Sequence, residues 1–143
     1  MEEHTLQLEL ESTLDSVDSA EETVLKEAGA LGFDEDDLHR IGISVRECMV
    51  NAVVHGNRYN SKKKVRVNIL RTPVELMVRI SDEGDGFDPA AIPDPCEGEN
   101  LMRQSGRGVM MMQAFMDEFS ILKLEPRGTE VKMVKYKTDT SKE

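Results

Sequence analysis

Three polar residues recur at intervals of four in one segment of the chain and could perform catalysis or bind a metal ion. Glu47, Asn51 and His55 are spaced i, i+4 and i+8, so a helix would carry them as one polar stripe. A carboxylate and an amide oxygen one turn apart can hold hydrated Mg²⁺ against a phosphate, or the carboxylate can accept a proton from an attacking hydroxyl. A solvated helix face is the simpler interpretation, but Asn is a poor helix former, so its central position favours a specific role.

A second segment combines a carboxylate with two glycines directly after an apolar strand pattern. Asp82 is followed by Gly84 and Gly86. Glycines allow the backbone to approach a flat ligand closely, and an Asp at a strand end can accept a hydrogen bond from an exocyclic amine such as that of adenine. A plain Gly-Asp-Gly turn is the alternative interpretation.

A third segment, Ser105-Gly106-Arg107-Gly108, opens a short helix pattern that is rich in methionine. Glycines at a helix N-terminus leave backbone N–H groups free to hold a phosphate, and Arg107 adds a forked donor. The preceding stretch from 84 to 108 is rich in Gly, Pro and acidic residues. It exceeds the length of about 12–15 residues beyond which irregular loops tend to be functional, so it is typical of a lid or binding loop.

The elements that must position these segments follow from the spacing of apolar residues. Asp34 is a predicted N-cap with Phe33 stapled onto Leu38, and the acidic run 34–37 is interpreted as capping chemistry. Val74 is expected to share the buried face of its strand with Leu76, Val78 and Ile80. The predicted elements are, in chain order, a strand at 5–11, helices at 12–30 and 35–57, strands at 65–71 and 74–81, a helix at 109–116, and strands at 119–124 and 130–136. This order predicts an α+β two-layer sandwich with the helices on one face of a mainly antiparallel sheet.

Composition restricts the class of protein. The 143 residues suit a single domain (1–143), with an unstructured tail from about 138. The net charge of -10 disfavours direct nucleic-acid binding, since such a surface repels the phosphate backbone. The sequence shows no signal-peptide pattern and no apolar run near the roughly 20 residues of a membrane helix, so we expect a cytoplasmic protein that does not enter a membrane. Cys48 and Cys96 are interpreted as reduced thiols.

One basic cluster stands out in this acidic chain. Lys62-Lys63-Lys64 and Arg66 lie between the second predicted helix and the strand that follows. The simpler interpretation is a solvated loop and strand edge, and the alternative is a docking patch for a protein partner.

In this order and spacing, the motifs resemble those of the Bergerat-fold (GHKL) ATPases, which include gyrase and the sensor histidine kinases. The matching segments are Glu47-x-x-x-Asn51 with His55-Gly56-Asn57 (the N box), Asp82-x-Gly84-x-Gly86 (the G1 box), Gly106-Arg107-Gly108 (the G2 box) and Arg127-Gly128-Thr129 (the final Gly-Thr motif). They extend over about residues 5–137. The small size and the segment 105–118 are most similar to the bacterial anti-sigma-factor serine/threonine kinases.

The resemblance implies ATP and Mg²⁺ as cofactors and a role for each matched residue. Glu47 would be the general base, and Asn51 would ligate Mg²⁺. Asp82 would bind the adenine amino group, and Thr129 would hydrogen-bond near the adenine through Asp82 or a water. The remaining ATP-binding residues would be Gly84 and Gly86 at the pocket floor, His55 at the helix end or pocket wall, and Ser105, Gly106, Arg107 and Gly108 around the phosphates.

The same resemblance implies the partners. Such kinases bind a sigma factor and phosphorylate a serine or threonine of an anti-anti-sigma factor, and a homodimer is possible. The loop 87–105 would be the ATP lid. The alternative function is a binding module that uses ATP only to gate its affinity for a partner, without phosphoryl transfer.

Overall fold

Five strands form one antiparallel sheet in the computed structural model, which describes residues 3–84 and 107–137. The strands are β1 (His4–Glu11), β2 (Lys64–Arg71), β3 (Glu75–Ser81), β4 (Glu118–Lys123) and β5 (Thr129–Tyr136). Their spatial order is β1-β2-β3-β5-β4, so β5 lies between β3 and β4. All neighbouring strands pair antiparallel. The predicted lid 87–105, the tail from 138 and Cys96 lie outside the described residues.

Helices cover one face of this sheet, which confirms the predicted α+β sandwich. They are α1 (Leu14–Leu31), α2 (Glu35–Val50) and α3 (Arg107–Phe115), with a π-helical segment (Asn51–Gly56) directly after α2. The buried core is the apolar stripe of each helix packed on the inward residues of the sheet. Among the helices of the described residues, none is both long and apolar enough to cross a membrane.

The local signals for the first two helices are confirmed. The Oδ1 atom of Asp34 accepts a hydrogen bond from the backbone N–H of Asp37 at 2.8 Å, as expected of an N-cap. Phe33 is buried in the core, and Leu38 packs against the same cluster. Gly32 ends α1 in the left-handed region at φ 95°, a conformation that glycine adopts without strain.

The helical backbone reaches Gly56, so the predicted end of the second helix is confirmed, but the segment after Val50 is π-helical rather than α-helical. α2 ends at Val50, and the chain continues in wider turns in which the backbone N–H of Asn57 donates to the carbonyl of Ala52 at 2.8 Å. The physical reason is that the buried Asn57 side chain is bonded to three other segments (described below), which hold this end of the helix against the sheet. π-Helical turns of this kind occur frequently at functional sites.

The expectation for Val74 is wrong. β3 begins at Glu75, and Val74 is 63% exposed, whereas Leu76, Val78 and Ile80 are buried as predicted. Val74 lies in the turn, where the hydroxyl of Thr72 accepts the backbone N–H of Glu75 at 3.1 Å. A residue in this turn is outside the ladder, so the alternation of the strand does not apply to it.

Candidate functional site

A cavity lies between the helical layer and the sheet. Its lining residues come from α2, the π-helical segment, β3, α3, β4, β5 and the loop after β3: Cys48, Asn51, Ala52, His55, Gly56, Ile80, Asp82, Val109, Met112, Ile121, Thr129 and Val131. Most of these side chains are apolar, and a few are polar. Apolar walls with a few convergent polar groups are typical of a site for a small organic ligand.

The carboxylate of Asp82 is a buried acceptor in the wall of this cavity. Asp82 follows β3 directly and is 9% exposed. Burial raises the pKa of the Asp82 carboxyl, although backbone hydrogen bonds from Gly84 and Thr129 and the charge of Lys63 act in the opposite direction. The bond from the Gly84 N–H to Oδ1 measures 2.9 Å. A desolvated carboxylate in a cavity wall is a strong acceptor for a ligand N–H group and is a candidate functional residue.

Three glycines bring backbone into direct contact with this carboxylate and its strand end. A Cβ at Gly56 would lie 2.4 Å from Oδ2 of Asp82, and one at Gly84 would lie 1.9 Å from the carbonyl oxygen of Gly56. Gly128, at φ 110°, would place a Cβ 2.3 Å from the carbonyl oxygen of Asp82. No side chain fits at these three positions without a shift of its neighbours. The sequence motifs contain Gly56 and Gly128, but the sequence argument did not predict that they enclose Asp82.

Asn51 and His55 lie on the helical side of the cavity, whereas Glu47 does not line it. The backbone N–H of Asn51 donates to the carbonyl of Glu47, so the two residues are one helical turn apart, as predicted. Glu47 is half-buried on α2 and is absent from the cavity wall. The structure therefore brings together Asn51, His55, Asp82 and Thr129 from three separate segments and places Glu47 beside them.

The predicted phosphate-binding segment adjoins the same cavity. Arg107 and Gly108 are the first two residues of α3, and Val109 and Met112 of this helix line the cavity. Ser105, Gly106 and Gly86 lie outside the described residues. The helix start and the residues that enclose Asp82 thus belong to one region of the molecule.

Few protein ligands are available for a metal ion. Within residues 3–84 and 107–137, no group of three or more His, Cys, Asp or Glu side chains is arranged to hold one. Mg²⁺ does not require such a group, because it usually keeps several waters and binds through one or two protein oxygens together with substrate phosphates. The amide oxygen of Asn51 in the cavity wall is compatible with that mode.

Asn57 belongs to the N box, but the sequence argument assigned it no structural role. It is 1% exposed. Its Nδ2 donates to Oγ of Ser12 at 2.9 Å and to the carbonyl of Lys64 at 3.1 Å, and its Oδ1 accepts the backbone N–H of Glu83 at 2.8 Å. Asn57 therefore connects the start of α1, the start of β2 and the segment after Asp82. A polar residue directly after a helix-ending glycine is the signal that could have indicated this role.

Cys48 belongs to the apolar wall of the cavity. It is buried, and burial, together with the charges of Asp82 and Glu47, raises the pKa of its thiol well above the usual range. The thiol is therefore neutral and behaves as a small apolar side chain.

Comparison with known proteins agrees with the motifs. A family model described as the histidine kinase-like ATPase domain matches residues 10–135. Similar curated proteins include anti-sigma F factors from Bacillus thuringiensis (strain Al Hakam), Bacillus mycoides (strain KBAB4) and Bacillus cereus (strain AH187). Each is 30% identical over 109 residues, which covers 74% of this chain and 74% of the relative.

Proposed function

This chain belongs to the histidine kinase-like ATPase family, and we propose that it is an ATP-dependent serine/threonine kinase that binds a sigma factor and phosphorylates an anti-anti-sigma partner. The name of its relatives, anti-sigma F factor, supports the sigma-factor part. The resemblance of the motifs supports the kinase part and the anti-anti-sigma substrate. Homodimer formation, which the motifs also imply, remains a prediction.

The observation that carries the nucleotide part of the proposal is the buried carboxylate of Asp82 in the cavity wall. The cavity is lined largely by apolar side chains such as Ile80 and Val131, which suit the faces of a purine ring. Asp82 provides an acceptor for the adenine amine, and Thr129 lies beside it in the same wall. These features fit ATP, and the amide of Asn51 fits a Mg²⁺ ion that is bound mainly by phosphate and water.

Each of these residues has a defined task in the proposed reaction. When bound, ATP supplies the phosphoryl group and Mg²⁺ neutralises its charge, so the protein has to position and stabilise rather than react covalently. Asp82 orients the base, and the backbone N–H groups at the N-terminus of α3, beginning at Arg107, hold phosphate oxygens in this proposal. Glu47 accepts the proton of the partner's hydroxyl as that oxygen attacks.

Glu47→Gln tests the kinase assignment. A general base contributes about 10²–10⁴-fold to a rate, equivalent to about 2.7–5.4 kcal/mol of barrier. Glutamine keeps the size of the side chain but cannot accept the proton, so we expect transfer from radiolabelled ATP to candidate partners to fall by that factor while ATP affinity is retained. Glu22→Gln, on the exposed face of α1, is the matched control and should transfer at the original rate. Undiminished transfer by Glu47→Gln would show that Glu47 is not the base.

One observation favours a second candidate function, an ATP-gated binding module without phosphoryl transfer. Glu47 does not line the cavity among the described residues, and a pure nucleotide sensor needs no base there. In this case the unmutated protein would bind its partners in an ATP-dependent way, and no radiolabel would appear on any of them.

A further inference from the structure

A second, open groove lies next to the nucleotide cavity and shares Asp82 with it. One wall is the loop and strand start that carry Lys62, Lys63 and Arg66, and the other is the turn between β4 and β5 that carries Arg127. Arg66 is exposed between the buried Val65 and Val67, so this part of the groove opens on the outer face of the sheet.

The accessible charges of the groove are mainly positive. Lys62, Arg66 and Arg127 are exposed and Lys63 is half-buried. Of these four, only Arg66 pairs with a described carboxylate. Its Nε lies 3.4 Å from Oε2 of Glu9, and both side chains are about half-exposed. Exposed pairs of this kind contribute little, so the cation remains available to a ligand.

The groove also contains three acidic residues, and two of these are already engaged. Asp82 is buried and accepts the N–H of Gly84, while the carboxylate of Glu83 accepts the backbone N–H of Lys64. Glu125 is exposed. An occupant therefore meets mostly cations, in a chain that has 18 basic and 28 acidic residues.

Both walls of the groove are bonded to the strand end that carries Asp82. The turn with Arg127 ends at Gly128, whose backbone packs on the Asp82 carbonyl, and the next residue, Thr129, accepts the Asp82 N–H at 3.0 Å. On the other side, Lys64 and Glu83 are bonded to each other and to Asn57. A ligand that moves or neutralises either wall therefore acts on a residue of the nucleotide cavity.

We propose that this basic groove docks a short acidic segment of a protein partner and that its occupation weakens ATP binding. A protein segment fits better than a nucleic acid, because the net charge of -10 repels an extended polyanion while a short run of carboxylates experiences mainly the local cations. The direction of the coupling follows from the shared wall, because Asp82 lines both the groove and the nucleotide cavity. Carboxylates docked in the groove place like charge beside Asp82 and offset the charge of Lys63, and both effects disfavour the ionised form that accepts the adenine amine.

The docking part is tested with a short fluorescein-labelled peptide of alternating Glu and Ser, using the full chain without nucleotide. The test variant is Lys62→Glu/Arg127→Glu. The matched control is Lys26→Glu/Arg40→Glu, at exposed positions of α1 and α2. Both double variants change the net charge by the same amount. A loss of peptide affinity that depends only on the overall charge would therefore be equal in the two variants. Urea unfolding of each variant verifies that it is folded.

We expect fluorescence anisotropy to show binding of the Glu peptide that weakens with salt, and no binding of the same peptide with Gln in place of Glu. The groove variant should bind at least about tenfold more weakly, equivalent to about 1.4 kcal/mol, because two attractions are replaced by repulsions. The control should stay within about twofold of the unmutated protein. Equal losses in the two variants, or no binding of the Glu peptide at low salt, would refute the docking site.

The coupling part is tested by calorimetry of ATP binding with and without saturating Glu peptide. We expect the ATP dissociation constant to rise about fivefold or more and, by reciprocity, ATP to weaken the peptide to the same degree. An unchanged or tighter ATP affinity with the peptide bound would refute the coupling. Because peptide docking is measured without nucleotide, a failure of the docking proposal is distinguishable from a failure of the proposed kinase function.

Discussion

Replacing Gly84 by alanine tests whether a close backbone crossing positions the Asp82 carboxylate. A Cβ at position 84 would lie 1.9 Å from the carbonyl oxygen of Gly56 and 2.4 Å from its carbonyl carbon. Both atoms belong to the backbone, so rotation of a side chain cannot relieve the clash. Overpacking of a tight site costs about 1–3 kcal/mol. Because the backbone itself must move here, we expect the free energy of unfolding to fall by about 3 kcal/mol.

The matched control is Gly29→Ala, which makes the same chemical change in α1. A Cβ at Gly29 meets nothing within 4 Å, and alanine is favoured over glycine in a helix by about 0.5–1 kcal/mol. We therefore expect the two Gly→Ala substitutions to change stability in opposite directions.

Urea unfolding and calorimetry of ATP binding measure the two consequences. The N–H of Gly84 donates to Asp82 at 2.9 Å, so displacement of this backbone should also weaken ATP binding, whereas Gly29→Ala should leave the affinity unchanged. In thermal unfolding, about 3 kcal/mol corresponds to a lower midpoint by about 6–12 °C for a domain of this size. A Gly84→Ala protein with unaltered stability and ATP affinity would refute this description of the site.

Three further predictions concern polar residues in and around the cavity. Asn57→Ala should lower the unfolding free energy by about 3 kcal/mol, because three buried hydrogen bonds lose their partner. The control is Asn60→Ala at an exposed position, which loses one hydrogen bond and should cost less than about 1 kcal/mol. Equal losses of the two variants in urea unfolding would contradict this prediction. Because burial raises the pKa of Asp82, the folded protein binds the carboxyl proton more tightly than the unfolded chain does. The protonated carboxyl therefore contributes to stability at low pH, and this contribution is lost as the pH rises from the ordinary pKa of 3.8 through the raised pKa. The difference in unfolding free energy between Asp82→Asn and the unmutated protein should change over that range, and a difference independent of pH would be evidence against the burial effect. Asn51→Ala should remove the Mg²⁺ dependence of ATP binding in a folded protein, and calorimetry that shows the same Mg²⁺ dependence would exclude Asn51 as a ligand.

The sequence determined the features that depend on neighbouring residues. The cap at Asp34 rests on a bond made within three positions along the chain. The buried stripes of the helices and the alternation in β3 follow from periods of 3.6 and 2 residues. These local rules were sufficient for the class and order of elements, and the spacing of the motifs indicated the family.

Only the tertiary structure decided which distant residues meet. Gly128 packs on the Asp82 carbonyl because the order β3-β5 brings the end of one strand beside the start of the other, and strand order is not encoded in the period of any one strand. The π-helical segment and the bonds of Asn57 likewise depend on partners 45, 26 and 7 residues away in the chain. The same packing places Asn51 in the cavity wall and Glu47 outside it, although an ideal helix would present both on one stripe. Helical spacing specifies which residues share a face, and the contacts of that face with the sheet determine which of them reach the ligand cavity.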